Sequence, residues 1–184
     1  MAPIQMVMWG HPSTTGLKDI DYFITSDLFE DDYGGERFSE QLLRFSSSSF
    51  FFKEPKQVLT AVSEGGAYDR GLLGVGGQDT VFLVPQTLQK FHPVFDEPLR
   101  RILEHSAKNR LLIIYDRSKP LWKAKLAERF ERVMGAEIAG RIAFTPSTKA
   151  TDFFRLIATA DVLLDPYPFG GGVTTLEVSV FVGG

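Results

Sequence analysis

The chain has 184 residues, with 20 basic against 23 acidic side chains for a formal net charge of -3, and 43% of its residues are hydrophobic. That is enough apolar material for a core, and the near balance of charge leaves no cationic footprint for a phosphate backbone, so nucleic acid is not expected as a partner. Without Cys there are no disulfides or thiolate metal sites, no apolar run approaches the roughly 20 residues that span a bilayer, and Met1-Ala2-Pro3-Ile4-Gln5 lacks the basic-then-apolar order of a signal peptide. The expectation is a cytoplasmic or nucleocytoplasmic protein with no membrane partner.

In the first third, Ile4 to Met8 and Tyr22 to Thr25 read as strands separated by loop-rich sequence, the tail of another domain. The serine run Ser46 to Ser49 beside Phe50, Phe51 and Phe52 reads as a strand end entering a loop. Residues 65–77 hold Gly65, Gly66, Gly71, Gly74, Gly76 and Gly77, too much glycine for an element interior, and predict a flexible connection. The expected domains are therefore 1–64, a linker over 65–77, and 78–184.

From Gln78 onward β-like runs alternate with amphipathic helical stretches, the pattern of a parallel sheet covered by helices. Thr80 to Val84 is a buried strand. Asp96 is the expected cap of a helix carrying Pro98 early and Leu99, Ile102 and Leu103 on one face. Leu111 to Tyr115 is the next strand. Pro120 opens a helix with Leu121, Leu126, Phe130 and Val133, closed by Gly135. Ile142 to Phe144 is a short strand, Thr151 is the expected cap of a helix bearing Phe153, Phe154, Leu156 and Ile157, and Asp161 to Asp165 is a fourth strand. The β-α-β-α-β-α-β series predicts a Rossmann-like half-domain. A doubly wound sheet would continue beyond Val178 to Gly184, so truncation at both ends is expected.

Three segments carry candidate chemistry. The strongest runs from Asp165 through Gly170, Gly171 and Gly172 to Val173, Thr174, Thr175 and Glu177, leaving a strand by a glycine loop and entering a helix. Glycines let backbone approach a ligand, and the helix start offers unpaired N–H groups and partial positive charge to an anion such as diphosphate. Thr174 and Thr175 add hydroxyls, and Glu177 suits a ribose. The same residues also suit a loop that only caps a helix. The second segment, Gln86 to Pro93, follows a strand directly. Lys90 there is placed to neutralise phosphate oxygens beyond the carboxyl end of the sheet, and His92 suits packing or capping. The third, Trp9 to Gly16, sets His11, Pro12, Thr14, Thr15 and Gly16 on a loop with no visible group to orient the imidazole. Asp19-Ile20-Asp21 looks like a two-aspartate metal motif but lacks completing ligands, and Gly74-Val75-Gly76-Gly77 is neither a Walker loop nor a dinucleotide fingerprint.

In this order, Ala2 to Gln5 through Trp9 to Gly16, Ile20 to Phe23, Gln86 to Pro93 with Phe95-Asp96, Arg141 to Pro146, and Ala160 to Asp165 into Gly170-Gly171-Gly172 resemble the catalytic region of glycosyltransferase family 41, the O-GlcNAc transferase and SPINDLY-like proteins. The resemblance implies a two-domain GT-B architecture, with residues 1–64 the remnant of a first catalytic domain and 78–184 the donor-binding one. It implies transfer of N-acetylglucosamine with inversion from UDP-GlcNAc to Ser or Thr of a protein acceptor, with no metal and no further cofactor.

Position by position, Lys90 would support the diphosphate leaving group, and Gln86, Gly171, Gly172, Thr174 and Thr175 would line the donor site. Glu177 would reach the ribose and Phe153 would stack on uracil. His11, a candidate catalytic imidazole, with Pro12, Thr14, Thr15 and Gly16 would line the donor and acceptor cleft. Val173 stands where some relatives have His, and the sequence from Val178 to Gly184 departs from the family's pattern. The family's proposed general-base residues fall upstream of Met1 and its tetratricopeptide repeats are not in the sequence, so the fragment alone is expected to be inactive. Two alternatives stay open: a non-catalytic nucleotide- or partner-binding remnant, and a protein O-fucosyltransferase-like relative. An unrelated Rossmann-like binder of a phosphorylated metabolite is the third class.

Overall fold

A computed structural model describes residues 2–8, 10–52, 56–146 and 149–182, without the side chains of 57–59, 61 and 180–182. The chain divides into two compact units between residues 53 and 54. In the first, strands β1 (Met6–Met8), β2 (Tyr22–Ser26) and β3 (Gln41–Phe45) form a parallel sheet in that order, with Val7 opposite Phe23 and Phe23 opposite Leu42. Phe23 is buried against the ring of Phe38, and Ser26 is fully buried, its hydroxyl donating to the Ser47 carbonyl at 2.6 Å. The serine run thus continues from a strand end, as expected. The phenylalanine triplet splits: Phe50 stacks on Phe29 with centroids 5.4 Å apart, whereas Phe51 points to solvent.

The second unit is a four-stranded parallel sheet of order β6-β5-β4-β7, comprising β4 (Thr80–Val84), β5 (Asn109–Tyr115), β6 (Ile142–Pro146) and β7 (Val162–Leu163). Side chains alternate across the pleat, which builds two cores. Val81, Leu83, Leu112 and Ile114 face α1 (Lys56–Gly65), α5 (Ala150–Thr159) and α6 (Val173–Val182). Val84, Leu111 and Ile113 face α2 (Asp96–His105) and α3 (Pro120–Met134), with the short α4 (Ala136–Ala139) at that edge. Both faces are covered, as parallel sheets require. The chain steps outward from β4 to β5 to β6 and returns to the other side of β4 as β7, so the strand order reverses at β4. Such a switch opens a crevice at the carboxyl ends of the strands.

Five local expectations are corrected. Residues 65–77 belong to the second unit, not to a flexible linker. Val75 is buried, the Tyr68 N–H donates to Thr159 Oγ1 at 2.8 Å, and Arg70 donates to the Asp79 and Thr159 carbonyls and to Asp161 at 2.7 Å. α1 also packs on α5, so the division precedes residue 64. Asp96 does not cap α2: the residue is 2% exposed and its carboxylate pairs with Arg129 at 2.9 Å, with burial pushing its pKa up against that cation. His92 instead caps a preceding 3-10 turn, Nδ1 accepting from the Val94 N–H. Lys149, not Thr151, precedes α5, and the fourth strand is only Val162–Leu163.

Candidate functional site

Within the second unit, β4 and β7 both end at the switch crevice. β4 runs through Pro85 into a 3-10 turn, Leu88–Lys90, that turns the half-buried Lys90 side chain toward the segment following β7. Its Nζ donates to the Gly170 carbonyl at 2.8 Å and lies 5.0 Å from the centre of the Phe169 ring. The peptide joining Gly170 to Gly171 is held at its other end too, since the Gly171 N–H donates to Asp165 Oδ1 at 2.6 Å. Asp165 Oδ2 faces Thr175 Oγ1 at 3.5 Å. A side chain at Gly171 would overlap Thr175 Oγ1 and come 2.5 Å from Gln86 Nε2, so any larger residue there would have to displace both groups. α6 begins at Val173, and the N–H groups of Thr175 and Leu176 already turn onto the Gly172 carbonyl. The first amides of such a helix have no partner within it.

Beside this loop is a cavity of about 350 Å³ at the carboxyl ends of β4 and β5. Gln86 and Thr87 after β4, Lys119 and Trp122 at the start of α3, Phe153 of α5 and Thr174 of α6 line it. The turn between β5 and α3 is set by Asp116, whose Oδ1 accepts from both the N–H and the hydroxyl of Ser118. Those bonds hold its carboxyl below the usual range. Lys119 lies over the Trp122 ring at 4.6 Å. The arrangement joins an aromatic wall, a carboxamide and a hydroxyl to a neighbouring ammonium and a helix start. It suits a ligand with one flat ring and one anionic end.

No family model matches the chain. It is 28% identical over 187 residues to a probable SPINDLY UDP-N-acetylglucosamine–peptide N-acetylglucosaminyltransferase of Petunia hybrida, an alignment covering 99% of this chain and 19% of that protein. It is also 28% identical over 175 residues to a UDP-glucose:protein N-beta-glucosyltransferase of Actinobacillus pleuropneumoniae, covering 92% of this chain and 26% of that one. Among solved structures, a mutant of the Thermobaculum terrenum O-GlcNAc transferase superposes with a TM-score of 0.72 at 21% identity, covering 96% of this chain and 32% of that one. Over nearly all its length the chain is thus similar to part of the O-GlcNAc transferase and SPINDLY-like glycosyltransferases. It spans about a fifth of the SPINDLY relatives and about a quarter of the glucosyltransferase. Its α/β fold of parallel sheets is consistent with the GT-B architecture expected from the sequence.

Of the residues singled out in the sequence, the second unit brings Gln86, Phe153 and Thr174 to one cavity and Lys90, Gly171 and Thr175 to the adjoining loop. Gly172 is exposed with open space around it, and Glu177 is half-buried one turn into α6. The loop of the first unit behaves differently. The Thr14 hydroxyl donates to Glu40 Oε2 at 2.6 Å, and the Thr15 N–H, at 2.8 Å, and Thr15 hydroxyl both donate to Oε1. Their hydroxyl protons are therefore spent inside the unit rather than presented to a ligand. His11, Pro12 and Gly16 lie exposed on that loop, Gly16 at φ 68°, where glycine is favoured. Trp9 lies outside the described residues. Asp165, Lys119, Trp122 and Glu40 were not assigned roles from sequence. An acidic residue between a strand and a glycine run, and an Asp-x-Ser step ahead of Pro120, were the available signals. Among the described residues no three His, Asp or Glu gather as a metal site, and no helix is long and apolar enough to cross a membrane.

Proposed function

We propose that this chain is donor-binding machinery of an inverting glycosyltransferase that moves N-acetylglucosamine from UDP-GlcNAc to Ser or Thr hydroxyls of protein acceptors. The observation that carries this reading is the Lys90 ammonium at 2.8 Å from the glycine loop that leads into α6, beside a cavity walled by Phe153 and Trp122. Uracil occupies the cavity against Phe153, and the diphosphate lies toward Lys90 and the first turn of α6. In transfer, the acceptor oxygen bonds to the sugar's anomeric carbon as the bond to the phosphate oxygen breaks, so charge accumulates on the departing UDP. A preorganised ammonium and helix dipole stabilise that charge without a metal.

UDP titrated into the purified chain tests the reading. Saturable binding is expected, unchanged by EDTA, with no turnover of UDP-GlcNAc by this chain alone. Removing a charge-assisted contact costs about 1.5–3 kcal/mol, so Lys90→Met should weaken UDP by at least roughly tenfold while leaving the weaker binding of uridine almost unchanged. Absence of saturable UDP binding, or equal UDP affinity in Lys90→Met, overturns it.

A further inference from the structure

The peptide plane between Gly170 and Gly171 meets opposite charges at its two ends. Its carbonyl takes the Lys90 ammonium at 2.8 Å and its N–H gives to the Asp165 carboxylate at 2.6 Å. Between two glycines the torsions that turn this plane are sterically cheap, so local covalent geometry does not choose its orientation. The plane itself is rigid, and fixing the direction of the N–H fixes that of the C=O. Asp165 is well mounted for this. It follows β7, and the Leu164 N–H donates to the Leu83 carbonyl of β4 at 2.9 Å, tying the end of β7 to the central strand. A Cβ on Gly170 would stand 2.6 Å from Asp165 Oδ2, and one on Gly171 would stand 3.3 Å from Oδ1, so the carboxylate lies directly against the loop backbone. Among the described residues Lys90 has no carboxylate within ion-pair distance, so the Gly170 carbonyl and the Phe169 ring are what hold the ammonium.

We propose that Asp165 is a positioning residue, acting through the Gly170–Gly171 peptide to hold Lys90 at the anion site. Asp165 itself does not touch the ligand, because two anions would repel across the loop. Its carboxylate fills the Gly171 side, which directs an incoming anion to the Lys90 side and the first amides of α6. The inference rests on the reading of Lys90 as the diphosphate group, but half of its test does not.

The test uses the full chain labelled with nitrogen-15, as wild type, Asp165→Ala, Asp165→Asn and Lys90→Met, with the Asp165→Ala/Lys90→Met double variant. Without ligand, the Gly171 amide is expected to exchange about tenfold faster in Asp165→Ala, with the amide of Leu112 in β5 unchanged. Asp165→Asn, which keeps an acceptor oxygen, should restore most of the protection. With UDP, Asp165→Ala should weaken binding about tenfold, Asp165→Asn should bind nearly as wild type, and the double variant should be no weaker than Lys90→Met, because both changes disable one device. Unchanged Gly171 exchange in Asp165→Ala overturns the clamp whether or not UDP binds. A double variant whose losses multiply shows that Asp165 does not act through Lys90, and overturns the positioning role. If UDP fails to bind wild type while Gly171 responds as described, the donor-site reading and the positioning of a ligand group both fall, and only the clamp stands.

Discussion

Two neighbouring glycines in the same loop should respond to alanine in opposite ways. At Gly171 the new methyl would overlap Thr175 Oγ1, sit 2.5 Å from Gln86 Nε2 and lie 3.3 Å from Asp165 Oδ1. At Gly172 nothing lies within 4 Å of the same atom. Neither residue has a positive φ, so backbone strain does not enter and the difference is one of space alone. For Gly171→Ala, Thr175 can rotate away only by giving up its contact with Asp165, and the Gln86 side chain, 8% exposed, must shift within packed surroundings. Overpacking of this kind costs about 1–3 kcal/mol. With a urea dependence of about 2 kcal/mol per molar, the unfolding midpoint of the second unit should fall by about 0.5–1.5 M. Gly172→Ala should stay within about 0.5 kcal/mol of wild type. Circular dichroism in urea reads the midpoints, and a UDP titration reads the site, where Gly171→Ala should lose affinity because the Gly171 amide and Gln86 both move. Equal midpoints and equal affinities for the two variants would refute the argument, since the loop would then have room the structure does not show.

In the first unit, hydrogen bonds from the Thr14 and Thr15 hydroxyls hold the Glu40 carboxyl down to about 2 from an ordinary 4.5. A depressed carboxyl contributes stability that is complete above about 4.5 and drains as pH falls through about 2. The urea midpoint of wild type should therefore approach that of Glu40→Gln over this window, and a constant gap between the two would sink the idea. Arg70→Ala removes donors to the Asp79 and Thr159 carbonyls and to Asp161, costing about 1–3 kcal/mol. Limited proteolysis should cut residues 65–77 readily in that variant and slowly in wild type; equally fast cleavage of wild type would restore the view of this stretch as a linker.

Elements whose signal is local were legible in the sequence. Thr80–Val84 and the strand ending at Tyr115 announce themselves by apolar runs, and α3 by Pro120 at its first turn. Elements decided by distant partners were not. Gln41–Phe45 alternates polar with apolar residues weakly and becomes a strand by pairing with Tyr22–Ser26. Asp96 carries the local signature of a helix cap, yet Arg129, 33 residues on, takes its carboxylate. The glycines of 65–77 are turn residues rather than a linker: Gly74, at φ 73°, ends the 3-10 turn Gly71–Leu73, and the chain then enters the core at Val75.

The candidate site divides along the same line. Lys90 could be placed because a residue just past a parallel strand must lie at the carboxyl edge, wherever the strand sits in the sheet. Asp165 could not, because its role depends on the direction of one peptide between two glycines, on which sequence has little hold. What joins them is strand order. β4 lies between β5 and β7, so the turn after β4 and the glycine loop after β7, 80 residues apart, leave the sheet side by side. Had β7 added beyond β6, the same Lys90 and the same glycines would stand at opposite ends of the sheet and neither could serve a common anion. The site is therefore a property of the β4–β7 pairing, which rests on only two residue pairs, Phe82 with Val162 and Leu83 with Leu163. The bonds from Asp161 and Arg70 to the start of that pairing, and from Leu164 to its end, thus matter to the site as much as to the fold.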